Sequence, residues 1–278
     1  MINVEMNDNE FKIFRDFIYE KSGINYTDNK KIILQNRIRR RMRELSINSY
    51  SEYFELIKNK QMENEEVIKF FDEVTTNETS FFRHDRQFIA LEKMIIPELL
   101  QIKKTKEISV WSAAASTGKE AYTISMILNS IHELHNYKIG IIGTDLNQKV
   151  LEIARNGEYD LKDEKDIPSD YKRFYDSDIE KGIMKFKSEV KKNIEFKRYN
   201  LKDSFSSIPK MDIIFCRNVF IYFEKKTQSE IVTKFYDKLV PGGFFILGHS
   251  ETLNGISDKF IYRKFNGENL MIYQKPFE

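Results

Sequence analysis

The stretch that decides the fold is residues 111–120, WSAAASTGKE, in which small residues and one glycine separate a tryptophan from a carboxylate. A strand-like apolar segment precedes it at 107–111, and a helical pattern follows at 119–134. Strand-like and helical segments then alternate at 138–144, 147–156, 211–216, 226–239, 244–247 and 270–274. Such alternation predicts a parallel sheet covered by helices.

The turn after the first predicted strand discriminates between classes of ligand. A phosphate-binding P-loop would need glycine at position 113 and serine or threonine at position 120, where this chain has Ala113 and Glu120. A dinucleotide fingerprint needs three glycines, and only Gly118 is present in this turn. A turn of small residues without a phosphate cradle suits a nucleoside that carries no phosphate, such as S-adenosylmethionine.

Polar residues follow three further strands of the predicted sheet. Ligands of open α/β sheets bind at the carboxyl ends of the strands. Asp145 ends the second strand, where it could accept hydrogen bonds from ribose hydroxyls or cap the helix that follows. Asn200 and Leu201 follow the third strand, and Arg217 and Asn218 the fourth; either pair alone could also be simple turn chemistry.

The periodicity divides the chain into three parts. A helical pattern from residue 10 to about 85, interrupted by Gly23, predicts a small all-α domain at residues 1–76. Residues 77–106 are predicted to be a linker that carries site residues. Residues 107–278 contain the α/β domain.

An insertion interrupts the α/β alternation. Residues 157–192 are rich in lysine and acidic residues. Residues 184–189 and 193–199 are predicted to pair as antiparallel strands, forming a short inserted β-subdomain near 180–200. Further on, residues 241–243, Pro-Gly-Gly, predict a turn.

Composition excludes several classes of protein. The 45 Lys and Arg nearly balance 43 Asp and Glu, so the net charge of +2 does not indicate a nucleic-acid partner. The single cysteine, Cys216, excludes an internal disulfide and a multi-cysteine metal site. No apolar run approaches the length of about 20 residues that spans a bilayer. We expect a cytoplasmic monomer with no metal and no membrane insertion.

One segment is strongly basic. Residues 30–43 contain seven basic residues and no acidic one. Helical periodicity places the apolar residues on one stripe and directs Arg39, Arg40 and Arg43 away from it. A solvated face is the ordinary explanation, but the density of charge favours an anionic partner: an acidic protein, a membrane surface or nucleic acid. The helix lacks the aromatic residues on which bases would stack.

Five motifs in order resemble the chemotaxis receptor methyltransferase family (CheR), over nearly the whole chain. They are residues 77–83 (NETSFFR), 111–118 (WSAAASTG), 143–145 (GTD), 215–223 (FCRNVFIYF), and 241–243 (PGG) followed by 248–251 (GHSE). The resemblance implies an α/β fold: a Rossmann-like S-adenosylmethionine-dependent methyltransferase domain, a small all-α N-terminal domain and a short inserted antiparallel β-subdomain.

The resemblance also implies a protein-glutamate O-methyltransferase. Such an enzyme transfers methyl groups from S-adenosylmethionine to glutamates in the cytoplasmic helical bundle of a chemoreceptor and leaves S-adenosylhomocysteine. The residues implied to contact the cofactor are Asn77, Thr79, Arg83, Glu120, Asp145, Asn200, Leu201, Arg217 and Asn218. Arg83 and Tyr222 would be catalytic, nearest the transferred methyl, and Arg39, Arg40 and Arg43 would dock the receptor.

Two other functions stay open on the sequence. The pocket motifs specify the cofactor better than the substrate, so the chain could methylate another protein or a small molecule. It could also be a non-catalytic signalling module that binds the cofactor, although the presence of Asn77, Arg83, Asp145 and Tyr222 argues against that. The family usually has Gly-Cys where this chain has Ala114-Ala115.

Overall fold

The computed structural model of the protein describes residues 5–277. From residue 5 onwards, the N-terminal domain contains four α-helices: α1 (Asp8–Ser22), α2 (Lys31–Glu44), α3 (Tyr50–Ile57) and α4 (Glu65–Val74). A short 3-10 helix, Asp28–Lys30, lies between α1 and α2. Asn7 caps α1, with its side chain accepting the Glu10 N–H in a capping box. The apolar faces of the helices enclose an aromatic core, in which the Phe14 and Phe17 rings lie 6.1 and 5.8 Å from that of Phe70.

The helical pattern ends earlier than residue 85, because α4 ends at Val74 and an irregular segment follows. Two more helices, α5 (Arg86–Ala90) and α6 (Ile96–Ile102), are joined by a π-helical turn. They bury Phe88 and Leu99 in the core of the next domain. Part of the segment predicted to be a linker is therefore packed helix.

The described part of the α/β domain, residues 107–277, has ten strands. They are β1 (Glu107–Ala113), β2 (Lys138–Asp145), β3 (Glu158–Asp160), β4 (Tyr175–Asp178), β5 (Ile183–Phe186), β6 (Ile194–Arg198), β7 (Met211–Cys216), β8 (Leu239–Leu247), β9 (Ile261–Phe265) and β10 (Glu268–Gln274). The α-helices of this part are α7 (Lys119–Ser130), α8 (Gln148–Asn156), α9 (Ser188–Lys191) and α10 (Lys225–Lys238), and short 3-10 helices lie between some of the elements.

Seven of these strands form one sheet in the order β6-β2-β1-β7-β8-β10-β9. The first five are mutually parallel, and β10 runs antiparallel to β8 and β9. Separate apolar cores cover the sheet, and Trp111 of β1 is buried in one of them, with its Nε1 donating to Thr144 Oγ1 at 2.9 Å. The predicted Rossmann-like architecture is confirmed, and the carboxyl ends of β1, β2, β6 and β7 meet at one edge.

A small antiparallel sheet is also present, but the predicted pairing within it is wrong. Its order is β3-β5-β4, so residues 183–186 pair with strands that precede them. Strand β6 instead joins the main sheet, parallel to β2. Side-chain packing does not separate the two strands, because Ile194 and Phe196 of β6 pack both against the cluster of Tyr122, Met184 and Phe186 and against the core of the main sheet. The strands differ in their backbone partners, since β6 bonds to β2 and β5 bonds to β3 and β4.

The turn predicted at residues 241–243 is wrong as well. These residues lie inside β8, where Gly242 adopts a left-handed φ of 75° and donates its N–H to the Lys275 carbonyl at 3.0 Å. The pairing of β7 with β8 shifts register near this point, between Met211 and Ile213. The Pro-Gly-Gly sequence therefore makes an irregularity within a strand rather than its end.

The two domains are joined by hydrogen bonds between α4 and α8. Asn147 caps α8 by accepting the Val150 N–H, and its Nδ2 donates to the Asp72 carbonyl and to Thr75 Oγ1, at 2.9 and 2.8 Å. Asp72 also accepts the Gln148 N–H at 2.6 Å. The end of the helical domain is thus held directly beside the end of β2.

Arg41 differs from the other cations of α2, because it is a structural residue of the helical core. Its guanidinium donates to both Glu66 oxygens, at 2.8 and 2.6 Å, and the Tyr53 hydroxyl donates to the same carboxylate at 2.8 Å. The Arg41 side chain is only 7% exposed and that of Glu66 only 14%.

We predict that Arg41→Ala lowers the free energy of unfolding by roughly 3 kcal/mol, because it leaves the Glu66 carboxylate buried without its cation. Arg43→Ala is the matched control: Arg43 is exposed on the same helix, so the change should stay within about 0.5 kcal/mol. Urea denaturation followed by circular dichroism measures both. Equal losses in the two variants would contradict the structural role of Arg41.

Candidate functional site

A cavity of about 430 Å³ lies at the carboxyl edge of the parallel strands, beneath the helical domain and the segment after α4. It brings together residues from distant parts of the chain. Those expected from the sequence that line it are Asn77, Thr79, Arg83, Glu120, Asp145, Asn200, Leu201, Arg217, Asn218 and Tyr222. Their convergence on one cavity agrees with a binding site, and their individual roles stay predictions.

The turn between β1 and α7 forms one wall in a strained conformation. Ala114 and Ser116 have left-handed φ values of 61° and 51°, which cost an L-residue about 1–2 kcal/mol each. Hydrogen bonds hold the turn: the Ala115 N–H donates to the Thr144 carbonyl at 2.8 Å, and Ser116 Oγ donates to the Asn77 carbonyl at 2.7 Å. Ala114 thus occupies a conformation that suits the glycine of the family pattern better.

Asp145 is buried at the end of β2, with 7% of its surface exposed. Its two carboxylate oxygens accept the backbone N–H groups of Ser116 and Asn147, at 2.8 and 2.9 Å. The helix-cap alternative for Asp145 is wrong, because Asn147 caps α8. Burial raises the pKa of Asp145 to about 6 despite these backbone hydrogen bonds. Each carboxylate oxygen keeps acceptor capacity for a further donor.

Glu120 and Arg217 form an ion pair in the same cavity, with Arg217 Nη1 3.0 Å from Glu120 Oε2. Ser112 Oγ donates to the other Glu120 oxygen at 2.8 Å. Burial lowers the pKa of the Arg217 guanidinium, and the Glu120 carboxylate opposes that shift. The buried Arg217 Nε has no hydrogen-bond partner within residues 5–277. This paired anion and cation match the ammonium and carboxylate groups of an amino acid.

Asn200 and Leu201 are buried where the cavity meets the helical domain. Asn200 Nδ2 donates to the Lys21 carbonyl of α1 at 2.7 Å, and its Oδ1 accepts the Lys202 N–H at 3.1 Å. The turn after β6 is therefore shaped by both domains. Asn200 therefore both stabilises the turn through its side chain and lines the cavity.

The two residues expected to be catalytic, Arg83 and Tyr222, line the cavity from different segments: Arg83 lies after α4 and Tyr222 after β7. Arg83 is half-buried, and its Nη1 donates to the Glu78 carbonyl at 3.0 Å. The Tyr222 carbonyl accepts the Asn25 N–H at 2.8 Å, and Lys30 Nζ lies 5.6 Å from the centre of the Tyr222 ring. Tyr222 is thus placed by contacts with the loop between α1 and α2.

Sequence reasoning missed the contribution of the helical domain to the cavity. Tyr26, Lys30, Ile33 and Arg37 line it, and Arg37 Nη1 donates to the Tyr26 hydroxyl at 2.8 Å. The available signal was Gly23, whose left-handed φ of 77° ends α1 and starts the loop that reaches the cavity.

The three arginines expected to dock a receptor do not line the cavity. Arg40 and Arg43 are exposed, and Arg39 is half-buried with its Nε 3.0 Å from the Tyr50 hydroxyl. Arg40 pairs with Glu73 at 2.8 Å, and Glu73 also pairs with Lys149 of the other domain at 2.9 Å. The three cations therefore differ in accessibility.

Both domains match models of one family. Residues 77–267 match the model described as "CheR methyltransferase, SAM binding domain", and residues 9–75 match "CheR methyltransferase, all-alpha domain". The chain belongs to the CheR methyltransferase family. The chemotaxis protein methyltransferase of Borreliella burgdorferi is 33% identical over 91% of this chain and 92% of that protein. Chemotaxis protein methyltransferase 1 of Pseudomonas aeruginosa is 34% identical over 90% and 93%.

Similarity to solved structures is more remote. The glycopeptide N-methyltransferase MtfA, complexed with S-adenosyl-L-methionine, is 13% identical, with a TM-score of 0.36 over 62% of this chain and 51% of that chain. Such a likeness does not indicate a shared substrate. Between residues 5 and 277, no helix combines the length and apolar character of a membrane span, and no group of three or more metal-ligating residues is poised to hold an ion.

The cofactor of this CheR methyltransferase is S-adenosylmethionine, and the residues of the cavity fit it. The Asp145 carboxylate can still accept hydrogen bonds from ribose hydroxyls, and the Glu120–Arg217 pair suits the charged amino-acid group. The buried Arg217 Nε has no hydrogen-bond partner within residues 5–277, so it can donate to an acceptor. The turn from β1 to α7 offers no phosphate cradle, in keeping with a nucleoside that carries no phosphate.

We predict that affinity for S-adenosylhomocysteine falls roughly tenfold from pH 7 to pH 5. The ionised Asp145 carboxylate is the better acceptor for ribose hydroxyls, so binding favours deprotonation and affinity rises with pH through the raised pKa of about 6. Calorimetry between pH 5 and pH 7 measures how the affinity for S-adenosylhomocysteine changes with pH. Asp145→Asn keeps the shape and should bind more weakly with little pH dependence; an unchanged slope in this variant would exclude Asp145 as the titrating group.

Proposed function

We propose that this protein transfers methyl groups from S-adenosylmethionine to glutamate side chains of chemoreceptor cytoplasmic domains. The products are glutamyl methyl esters for chemotactic adaptation, made by a cytoplasmic monomer. The observation that carries the proposal is that Arg83 and Tyr222 share one cavity with the residues proposed to bind the cofactor. The helical domain, which contains the basic helix α2, forms the outer wall of that cavity. The names of the curated relatives support the role in chemotaxis.

The chemistry needs no general base. A free glutamate has a pKa of about 4.3, so the attacking carboxylate is already ionised at pH 7. No histidine lines the described cavity, in agreement with this requirement. When bound, S-adenosylmethionine supplies an electrophilic methyl group next to a cationic sulfur. Because opposite charges disappear in the transfer, exclusion of water favours it.

The protein therefore contributes to the reaction mainly by positioning the attacking carboxylate. The Arg83 guanidinium presents a planar fork that can hold both oxygens of a carboxylate. The Tyr222 hydroxyl can donate to the same group. Alignment of this kind can supply about 7–11 kcal/mol in favourable systems. Since Arg83 also stabilises the substrate anion before reaction, its net effect comes from orientation rather than charge.

One assay separates the candidate functions. Labelled S-adenosylmethionine is incubated with receptor cytoplasmic fragments, and the product is treated with base. Glutamyl esters release the label as methanol. Base-stable label would indicate another protein substrate or a small molecule, and cofactor binding without transfer would indicate a signalling module.

We predict that Arg83→Lys lowers the single-turnover rate about a hundredfold, because lysine keeps the charge but loses the fork, and a misplacement of about 1 Å can cost that much. The measurement uses saturating cofactor and receptor fragment. Affinity for S-adenosylhomocysteine, measured alongside, should change less. A near-native rate in the lysine variant would refute the orienting role.

Receptor docking is best tested at Arg43. A substitution of Arg40 would also disturb the contact with Glu73, and one of Arg39 the contact with Tyr50, so a triple variant would mix docking with stability. Arg43 is exposed and has no ion-pair partner within residues 5–277. Lys60, also exposed in the helical domain, supplies a control with the same change of charge.

We predict that Arg43→Glu raises the KM for receptor several-fold at low salt while cofactor affinity is unchanged. Surface charges of this kind act on association, and salt screens them over a Debye length of about 10 Å at 0.1 M. Lys60→Glu should have a smaller effect. An equal effect of both variants, or one that persists at high salt, would argue against electrostatic docking through α2.

A further inference from the structure

Glu251 is a buried carboxylate to which the proposed reaction assigns no role. It is 5% exposed, and its hydrogen bonds come from backbone N–H groups. Oε1 accepts from Val219 and Phe220, at 2.8 and 2.7 Å, and Oε2 accepts from Asn218 and Gly248, at 2.9 and 2.7 Å. The carboxylate thus occupies a nest of four amides just beyond the paired ends of β7 and β8.

The carboxylate and the site loop fit each other closely. Asn218 has a left-handed φ of 60°, which turns its N–H towards Glu251. At Gly248, an added Cβ would lie 2.6 Å from Glu251 Oε2 and 2.8 Å from the Asn218 nitrogen, so the corner has no room for a side chain.

The loop around Glu251 carries three of the predicted site residues: Arg217 and Asn218 at its start and Tyr222 near its end. Its far end is held separately, because Gln228 Nε2 of α10 donates to the carbonyls of Phe220 and Phe223, at 2.8 and 2.9 Å. The loop is thus held at its start by the Glu251 carboxylate and at its end by the Gln228 side-chain amide.

We propose that Glu251 is a positioning residue, which sets the backbone of residues 217–220 and through it the placement of Arg217, Asn218 and Tyr222. The part concerning Tyr222 rests on the proposed function. A carboxylate is required because four N–H donors need two acceptor oxygens. A glutamine offers one oxygen and directs its own N–H groups at two of the donors. Charge-assisted hydrogen bonds are also the stronger ones.

The test compares Glu251→Gln with Glu107→Gln, a control at the opposite end of the sheet, where Glu107 pairs with Lys138 on the surface. Calorimetry with S-adenosylhomocysteine gives the number of folded sites and their affinity. We expect Glu251→Gln to bind about tenfold more weakly and to lose at least tenfold in single-turnover rate per folded site, with receptor KM little changed. A residue needed only for folding would lower the number of sites and leave both values native; that result would overturn the proposal.

Gln228→Ala provides a second test that leaves the buried carboxylate in place. If Glu251→Gln does not fold, this variant still tests the premise on which the role of Glu251 depends, that the loop must be held for the chemistry. Because Gln228 holds the end of the loop near Tyr222, this variant should lower the methylation rate per site several-fold while cofactor affinity stays near native. A native rate would overturn the claim that the loop must be held. If the wild type methylates no receptor, the affinity of Glu251→Gln still tests Glu251 independently of the proposed substrate.

Discussion

The candidate site depends on one buried carboxylate, that of Asp145, and on the hydrogen bonds that this carboxylate requires. The Ser116 N–H connects it to the strained turn after β1, and Ser116 Oγ continues the connection to Asn77. The Asn147 N–H connects it to the cap of α8, whose side chain reaches Asp72 of the helical domain. The turn after β1, the segment at Asn77, the start of α8 and the end of the helical domain are thus connected, directly or through one residue, to the Asp145 carboxylate. The cavity lies between these segments.

A consequence of this network is that the helical domain is part of the site rather than an appendage to it. Its loop after α1 supplies Tyr26 and Lys30 to the cavity wall and holds the backbone at Tyr222 through Asn25. A receptor that docks on α2 would contact the same domain that completes the cavity. In the proposed function, receptor recognition would therefore lie next to the chemistry; Glu73 pairs with both Arg40 of α2 and Lys149 of α8.

The errors of sequence interpretation have specific causes. Periodicity identified β5 and β6 as strands, but it carries no information about which neighbouring strand each one pairs with, so the predicted pairing was wrong. The Pro-Gly-Gly of residues 241–243 has the local chemistry of a turn, yet hydrogen bonds to Lys275 keep it within β8. The seven basic residues counted in 30–43 include Arg41, which is buried against Glu66 and therefore adds no cation to the outer face of α2.

The sequence by itself determined the alternation of strands and helices, the family and the ten predicted site residues that line the cavity. Short-range patterns, motif spacing and the positions of strand ends carry that information. Only the tertiary structure decided that Asn147 rather than Asp145 caps α8, that the helical domain closes the cavity, and that Glu251 organises the loop of Arg217 and Tyr222. These features are contacts between residues far apart in the chain. They follow from the need of each buried polar group for a partner, and that partner is known only once the chain is packed.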